Sequence, residues 1–433
     1  MFNRRIIRNT AAALSIVAST SGRVSAQVTW QSLSQTNGMW QSLTIGPADT
    51  TSPWGIWEWS GFIHSGDVIY LKMDSNDRPE VAGTVYTSGD NWLPYWAKPS
   101  GPGTWNVYDT AAPPSATGHP SQPLRPSGAV VDSAGDSYAV SGGALAGCFG
   151  CGGFRRYKLW PLTLVSEAYV NVFNPVHAVV RANPSGGGVH WLGSTQPFHN
   201  GSNCASGILY YDDNELFPFG TLSHGKAASF DMAIGGDGVP ILVAEFMDVC
   251  GVTNGSGLYF ARGDVPHPSW IQIVPPDAIG PRGVQVVIDP SNVIHIFTAS
   301  AQTTQPAGAN GPLHRWWSVD SGSTWLGPEV VLSDIEYRDW YTVGVSPTGA
   351  IGVAYWMSCC SSPHELRFAE RRFGSWHYYA NVGTTGQTEP GVIKVAYDSQ
   401  DRPNIAYFER PQAGLPPWVK VTTLLRPVRP SRQ

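Results

Sequence analysis

The sequence predicts an all-β protein: a seven-bladed β-propeller of four-stranded antiparallel blades, with the ring closed by the N-terminal strand. Three observations predict it. First, an apolar strand running into Asp-x-x-Gly or a close variant, followed by a second apolar strand, recurs seven times. The copies centre on Asp74, Asp132, Asn183, Gly235, Asp289, Ser346 and Asp398, roughly 50 to 60 residues apart, a period of the size that marks propeller blades. Second, only 14% of residues are charged while Gly and Pro number 48 and 35, which suits a turn-rich, strand-rich chain. Third, the last unit lacks an outer strand, and a strand-like segment stands at the other terminus to supply it. A six- or eight-bladed count follows if one weak unit is miscounted.

The elements follow in chain order. Arg4, Arg5 and Arg8 precede a short apolar run and the small-residue signal Val24-Ser25-Ala26. Residues 1–26 therefore read as an export signal too short to span a bilayer. The phrase NRRIIR also resembles a twin-arginine signal. Residues 27–425 read as one propeller domain and 426–433 as a loose tail. The segment Val28 to Gln35 has the Trp and the alternation expected of the missing outer strand, and pairing it there removes an open edge. The sixth unit shows the four-strand pattern: Thr342 to Ser346, Ile351 to Ser358, Leu366 to Arg372 and Ser375 to Val382, labelled a to d from the axis outward. The last two alternate with a period of two. The seventh unit supplies Val392 to Tyr397, Asn404 to Phe408 and Trp418 to Leu424. The turns work because Asp, Asn or Ser accepts local backbone bonds and Pro, where present, presets φ.

One c–d turn carries a motif. Ser318, Asp320, Gly322 and Trp325 match the Ser-x-Asp-x-Gly-x-x-Trp Asp box, a self-bonded turn with its Trp between strands. On these residues the chain resembles the Asp-box (sialidase-like) propellers, a superfamily holding sialidases, related glycosidases, some polysaccharide lyases and lectins. The resemblance implies that the box is structural and lies opposite the active face, so Asp320 is not assigned to catalysis.

In such a ring the b–c loops and d–a connections share one face, and the long, variable segments are all of this kind. Cys148, Cys151, Cys204, Cys250, Cys359 and Cys360 all read as b–c loop residues. With an export signal, disulfides are the favoured reading: Cys204 to Cys250 between neighbouring blades, Cys148–Cys151 and Cys359–Cys360 as local clips, out of fifteen pairings. A metal site from cysteine, His199 and Met247 is the alternative, but the spacing fits no zinc pattern closely. No metal and no cofactor are therefore expected.

The same face gathers His177, His224, Arg282, Tyr337, Arg338 and Trp340 from d–a connections. From b–c loops it gathers His199, Glu245 and the neighbourhood of Trp92, and Arg155 opens a c strand. The resemblance implies two chemistries to test. Sialidases use an arginine triad, a Tyr nucleophile and an Asp; their Arg-Ile-Pro segment is absent here, which disfavours a classical sialidase. Propeller lyases need a His or Tyr base and a cation for the uronate, types that His177, His199, His224, Tyr337, Arg282 and Arg338 supply. Arg155, Trp92, Trp340 and Glu245 are the substrate-binding candidates. The sequence thus points to a secreted or periplasmic, monomeric propeller acting on a polysaccharide or glycan as a lyase or hydrolase. The alternative is a non-catalytic glycan- or protein-binding propeller. A net charge of −5 gives no field for nucleic acid, and no stretch suits membrane insertion.

Overall fold

The computed structural model describes residues 29–32, 40–47, 67–87, 91–101, 104–109, 126–132, 134–144, 152–159, 162–170, 175–184, 189–195, 208–211, 216–217, 226–247, 257–263, 270–274, 280–301, 311–335, 341–359, 361–384, 393–409 and 418–424. Among these residues all regular structure is β-strand, arranged as seven antiparallel sheets, six of four strands and one of five. Each four-stranded sheet is a meander in chain order. The first strands of the seven units are Asp67–Met73, Pro126–Val131, Pro175–Ala182, Lys226–Ile234, Gly280–Ile288, Tyr341–Val345 and Lys394–Tyr397. Each touches the next in that order, and Lys394–Tyr397 also touches Asp67–Met73. We call these the inner strands and number the sheets by them.

The repeated turns explain themselves locally. At Asp74, Asp132, Gly235, Asp289, Ser346 and Asp398 the first turn residue exchanges backbone bonds with the residues three and four further on, closing a tight reversal. The third residue after the start then needs a left-handed backbone: Asp77, Gly135, Gly238, Asn292, Gly349 and Asp401 all have φ between 57° and 87°. Gly, Asn and Asp tolerate that region best. In the two clearest copies the first Asp does the same work. Asp74 Oδ1 accepts from the backbone of Asn76 and Arg78, and Asp398 Oδ1 from that of Gln400 and Arg402. Each Asp also holds the Arg side chain four residues on, at 2.7 and 2.6 Å. Arg78 is thereby committed to its own turn.

Neighbouring turns also join. Ser399 donates from its backbone and hydroxyl to Asp77 at 2.7 and 2.6 Å, linking the seventh sheet to the first. The Thr348 hydroxyl likewise donates to Asp401, linking the sixth to the seventh.

The core lies between sheets. Strand b of the fourth unit, Pro240–Met247, reads as a nearly continuous apolar run because both of its faces are covered. Leu242, Ala244 and Phe246 pack toward Leu192 and Tyr210 of the third sheet. Ile241 and Val243 pack toward Val284, Val286, Ile294 and Ile296 of the fifth. Equivalent clusters join the fifth to the sixth sheet and the sixth to the seventh, the latter around Trp356, Phe368 and Tyr407. At roughly 1.5–3 kcal/mol per fully buried large side chain, these seams hold the sheets face to face.

The c–d turn with the serine–aspartate motif lies between Gly311–Ser318 and Leu326–Ile335, as expected. Asp320 accepts from Ser318 Oγ, Thr324 N and Thr324 Oγ1 at 2.7, 2.8 and 2.6 Å. Gly322 has φ 91°, and a Cβ there would overlap the Phe260 ring of the fourth sheet. Trp325 meets the same ring edge-on, with centroids 5.2 Å apart. The turn therefore clasps the neighbouring sheet.

The termini differ from expectation in one respect. The strand beside Trp418–Leu424 is Trp40–Pro47, and Thr29–Ser32 pairs outside it as a fifth strand. The tetrad Trp-Gln-Ser-Leu occurs twice, at 30–33 and 40–43, and the two copies pair with each other, Trp30 opposite Leu43 and Ser32 opposite Gln41. The first copy carries the expected pattern, but the longer second strand takes the place beside the last one.

Candidate functional site

The inner strands enclose a cavity of about 470 Å³. Its lining follows the repeat. The residue four positions before each turn start faces it from every inner strand: Tyr70, Gly128, Val179, Asp231, Gln285, Thr342 and Lys394. Five of these seven are polar, and some reach across to the next inner strand, whose axis-facing edge would otherwise carry unpaired backbone groups. Asp231 Oδ2 accepts from Val286 N at 2.9 Å, and Ser229 Oγ accepts from Val284 N at 2.7 Å. Gln285 bridges to the sixth sheet, donating to Tyr341 O and accepting from Val343 N at 2.9 Å. Burial pushes the Tyr70 phenol far above its ordinary range, with the Glu80 carboxylate acting in the same direction, so Tyr70 is neutral.

Asp231 is 6% exposed and carries a second bond, an ion pair of 2.7 Å with Arg181 of the third sheet. One carboxylate on the fourth sheet thus ties the third and the fifth. This belt was not foreseen. The residue types vary from Gly to Lys, and only the fixed offset from the turn aligns them.

The other half, nearer the d–a connections, is irregular in most of the inner strands. Five inner strands carry a one-residue bulge there, at Ile69, Ser127, Val176, Ala228 and Gly283. Bulges break the ladder, sharpen the twist and re-aim the chain. The backbone of His177 follows the bulge at Val176 and pairs with Ser194. That of Arg282 precedes the bulge at Gly283 and pairs with Ala299. Glu245 pairs with Ser229, next to the bulge at Ala228. Three residues expected in the site therefore stand at one level, on adjacent sheets.

Two of the loop assignments are corrected. Glu245 lies in strand Pro240–Met247 and is 0% exposed, on the face that Ile241 and Val243 turn toward the fifth sheet. Its neighbours in the strand are apolar because the whole segment is core, and it is not on an open loop surface. Cys359 ends strand Ile351–Cys359 and pairs with Ser361, so the sixth b–c loop is far shorter than the sequence suggested. Arg155 lies in Gly152–Leu159 opposite Glu167, and Trp92 is the second residue of Asn91–Gly101, opposite Tyr86. His199, His224, Tyr337, Arg338, Trp340, Cys148, Cys151, Cys204, Cys250 and Cys360 lie outside the described residues. Among the described residues no group of three or more His, Cys, Asp or Glu is placed to hold a metal ion.

Away from the axis, the fifth sheet holds a buried polar chain. His295 is 2% exposed and meets Asp289 Oδ2 at 3.2 Å and Arg315 at 3.0 Å, and Arg315 in turn pairs with Glu329 at 2.5 Å. Burial, then the Arg315 charge, brings the His295 pKa down to about 4, so at neutral pH the imidazole is uncharged.

No protein-family model matches the chain. No curated protein matches it either. Solved structures do. An ulvan lyase of a polysaccharide lyase family aligns with a TM-score of 0.50 and 11% identity over 84% of this chain and 94% of that one. An α-L-arabinanase of Penicillium chrysogenum aligns with a TM-score of 0.46 and 12% identity over 69% and 92%. An intramolecular trans-sialidase of Ruminococcus gnavus aligns with a TM-score of 0.43 and 11% identity over 86% and 96%. The likeness to the ulvan lyase is one of fold, and with the sheet arrangement it supports a β-propeller.

Proposed function

We propose that the chain is a secreted, monomeric, seven-bladed β-propeller that acts on a polysaccharide or glycan through the end bearing the b–c loops and d–a connections. In this reading residues 1–26 are the export signal, and 27–425 form one domain whose ring the N-terminal strands close. The observation that carries the site is the bulged level of the inner strands, where the backbones of His177 and Arg282 stand on two sheets flanking the fourth. A base of the His or Tyr type and a cation to neutralise a uronate carboxylate are what β-elimination from a sugar acid needs. His177 and Arg282 supply them at the strand ends. His199, His224, Tyr337 and Arg338 are further candidates of the same types, and Arg155 and Trp340 are candidates for holding the substrate. Fold alone does not name a reaction, and the chemistry of these residues is what favours a lyase over other glycan-active propellers.

The test incubates the secreted protein with a panel of acidic and neutral polysaccharides. New ultraviolet absorbance from an unsaturated uronate, lost in His177→Ala and Arg282→Ala, is the expected result. Reducing ends without that absorbance would indicate a hydrolase. Retention on a glycan column with neither product would mean a binding protein and overturn the enzyme reading.

A further inference from the structure

The axial cavity does not belong to the bulged level. Its lining residues all fall within five positions of the turn starts, in the half of the inner strands that faces the repeated turns. Beyond the polar belt, toward those turns, the wall is aliphatic: Val130, Ala233, Ile234, Val287, Ile288 and Val345. Among the described residues Arg181 is the one charged side chain at that depth of the wall. A guanidinium has five N–H donors. Arg181 commits one to Val180 O at 2.9 Å and one to Asp231 at 2.7 Å, which leaves three. Its side chain keeps 38% of its surface open. The other charges on the cavity wall are Asp231 and Lys394, so the described lining carries one positive charge in excess.

We propose that this cavity is a second binding site, separate from the glycan-active end, for a small monocarboxylate with a compact apolar body. The carboxylate would take the uncommitted N–H groups of Arg181 in the planar fork that suits it. The body would displace water from the Val, Ile and Ala wall. A cavity of about 470 Å³ is within the range of small-molecule sites. A bare sugar suits it poorly, because the aliphatic wall has no partners for a ring of hydroxyls. The proposal stands whether or not the chain cleaves polysaccharide.

The test uses the full secreted chain and two probes of one shape, benzoate and benzamide, titrated by calorimetry. Saturable one-to-one binding of benzoate, at least tenfold tighter than benzamide, is expected. Arg181→Met should weaken benzoate at least tenfold while leaving benzamide nearly unchanged, and Arg181→Lys should recover part of the loss. Because Arg181→Met also strips Asp231 of its partner and could unfold the chain, Val287→Phe is the second probe. It adds a ring to the cavity wall without touching a charge, and should abolish binding of both compounds with the circular dichroism spectrum unchanged. Equal affinity for the two compounds, no saturable binding to the unaltered protein, or benzoate binding that survives in folded Val287→Phe would each overturn the proposal.

Discussion

The two halves of the inner strands obey different rules. The half that meets the turns is stamped by the repeat. In six units the same backbone pair closes the turn, the same third residue is left-handed, and the residue four before the start faces the axis. The half that meets the d–a connections is bulged in five units, at offsets of five to seven residues from the turn, so no single register governs it. A repeat that fixes sheet geometry at one end leaves the other end free to vary, and variable ends on a rigid frame are where binding and catalysis concentrate.

The contrast can be broken first at the belt. Asp231→Ala removes the partner of Arg181 and leaves Val286 N–H without its acceptor. A loss of about 3 kcal/mol is expected in urea unfolding, the range for stripping a buried, hydrogen-bonded charge. His295 sharpens the contrast through pH. Its folded pKa of about 4 lies below the ordinary 6.5, so the unfolded chain binds the proton more readily. Stability is therefore full above about pH 6.5, falls as the pH drops toward 4, and levels off below, by up to about 3 kcal/mol in all. His295→Gln should flatten the unfolding free energy across that window. Gly322→Ala places a Cβ in the Phe260 ring at a left-handed backbone position; about 2 kcal/mol is expected, read as a lowered melting temperature. Asp77→Ala removes the exposed bonds to Ser399 and sets Ala at a left-handed backbone position that Asp tolerates better; about 1–2 kcal/mol is expected. If Asp77→Ala proved as damaging as Asp231→Ala, the seam between first and last sheets would rest on its turns rather than on its buried surface. Asp320 extends the pH argument further down. The Thr324 hydroxyl, then the Thr324 N–H and Ser318, hold its carboxyl at about 2. Its contribution is therefore intact above about pH 4 and disappears as the pH falls through 2.

Much of the stamped half was legible in the sequence. Trp418–Leu424 matches the expected strand residue for residue, and the four strands of the sixth unit differ from expectation mainly at their ends. The Asp-x-x-Gly turn is readable because both its ends are constrained, one to accept backbone N–H groups and the other to adopt positive φ. The belt was not legible, since a position facing a cavity has no residue type imposed on it. Asp231 was hidden between Phe230 and Met232, and Glu245 within an apolar run, where a carboxylate looks like an interruption rather than a buried member. The sequence assigned His177 and Arg282 to d–a connections, whereas both lie inside inner strands, Pro175–Ala182 and Gly280–Ile288, near the ends those connections reach. It could not show the bulges beside them, because an extra residue shifts the alternation by one and at most three residues precede it in these strands, too few to set a phase.

The doubled Trp-Gln-Ser-Leu tetrad has a consequence for how the molecule is made. Trp40–Pro47 pairs with Trp418–Leu424, so strands from the two ends of the chain meet in one sheet. During synthesis the early strand has to wait for nearly the whole chain before its partner exists, a contact of very high sequence separation. Until then it holds an unpaired edge, open to other chains. The neighbouring copy at Thr29–Ser32, close by in sequence, can pair with it at once. The N-terminus thus carries its own early partner, which covers one edge for good while the other waits for the last strand.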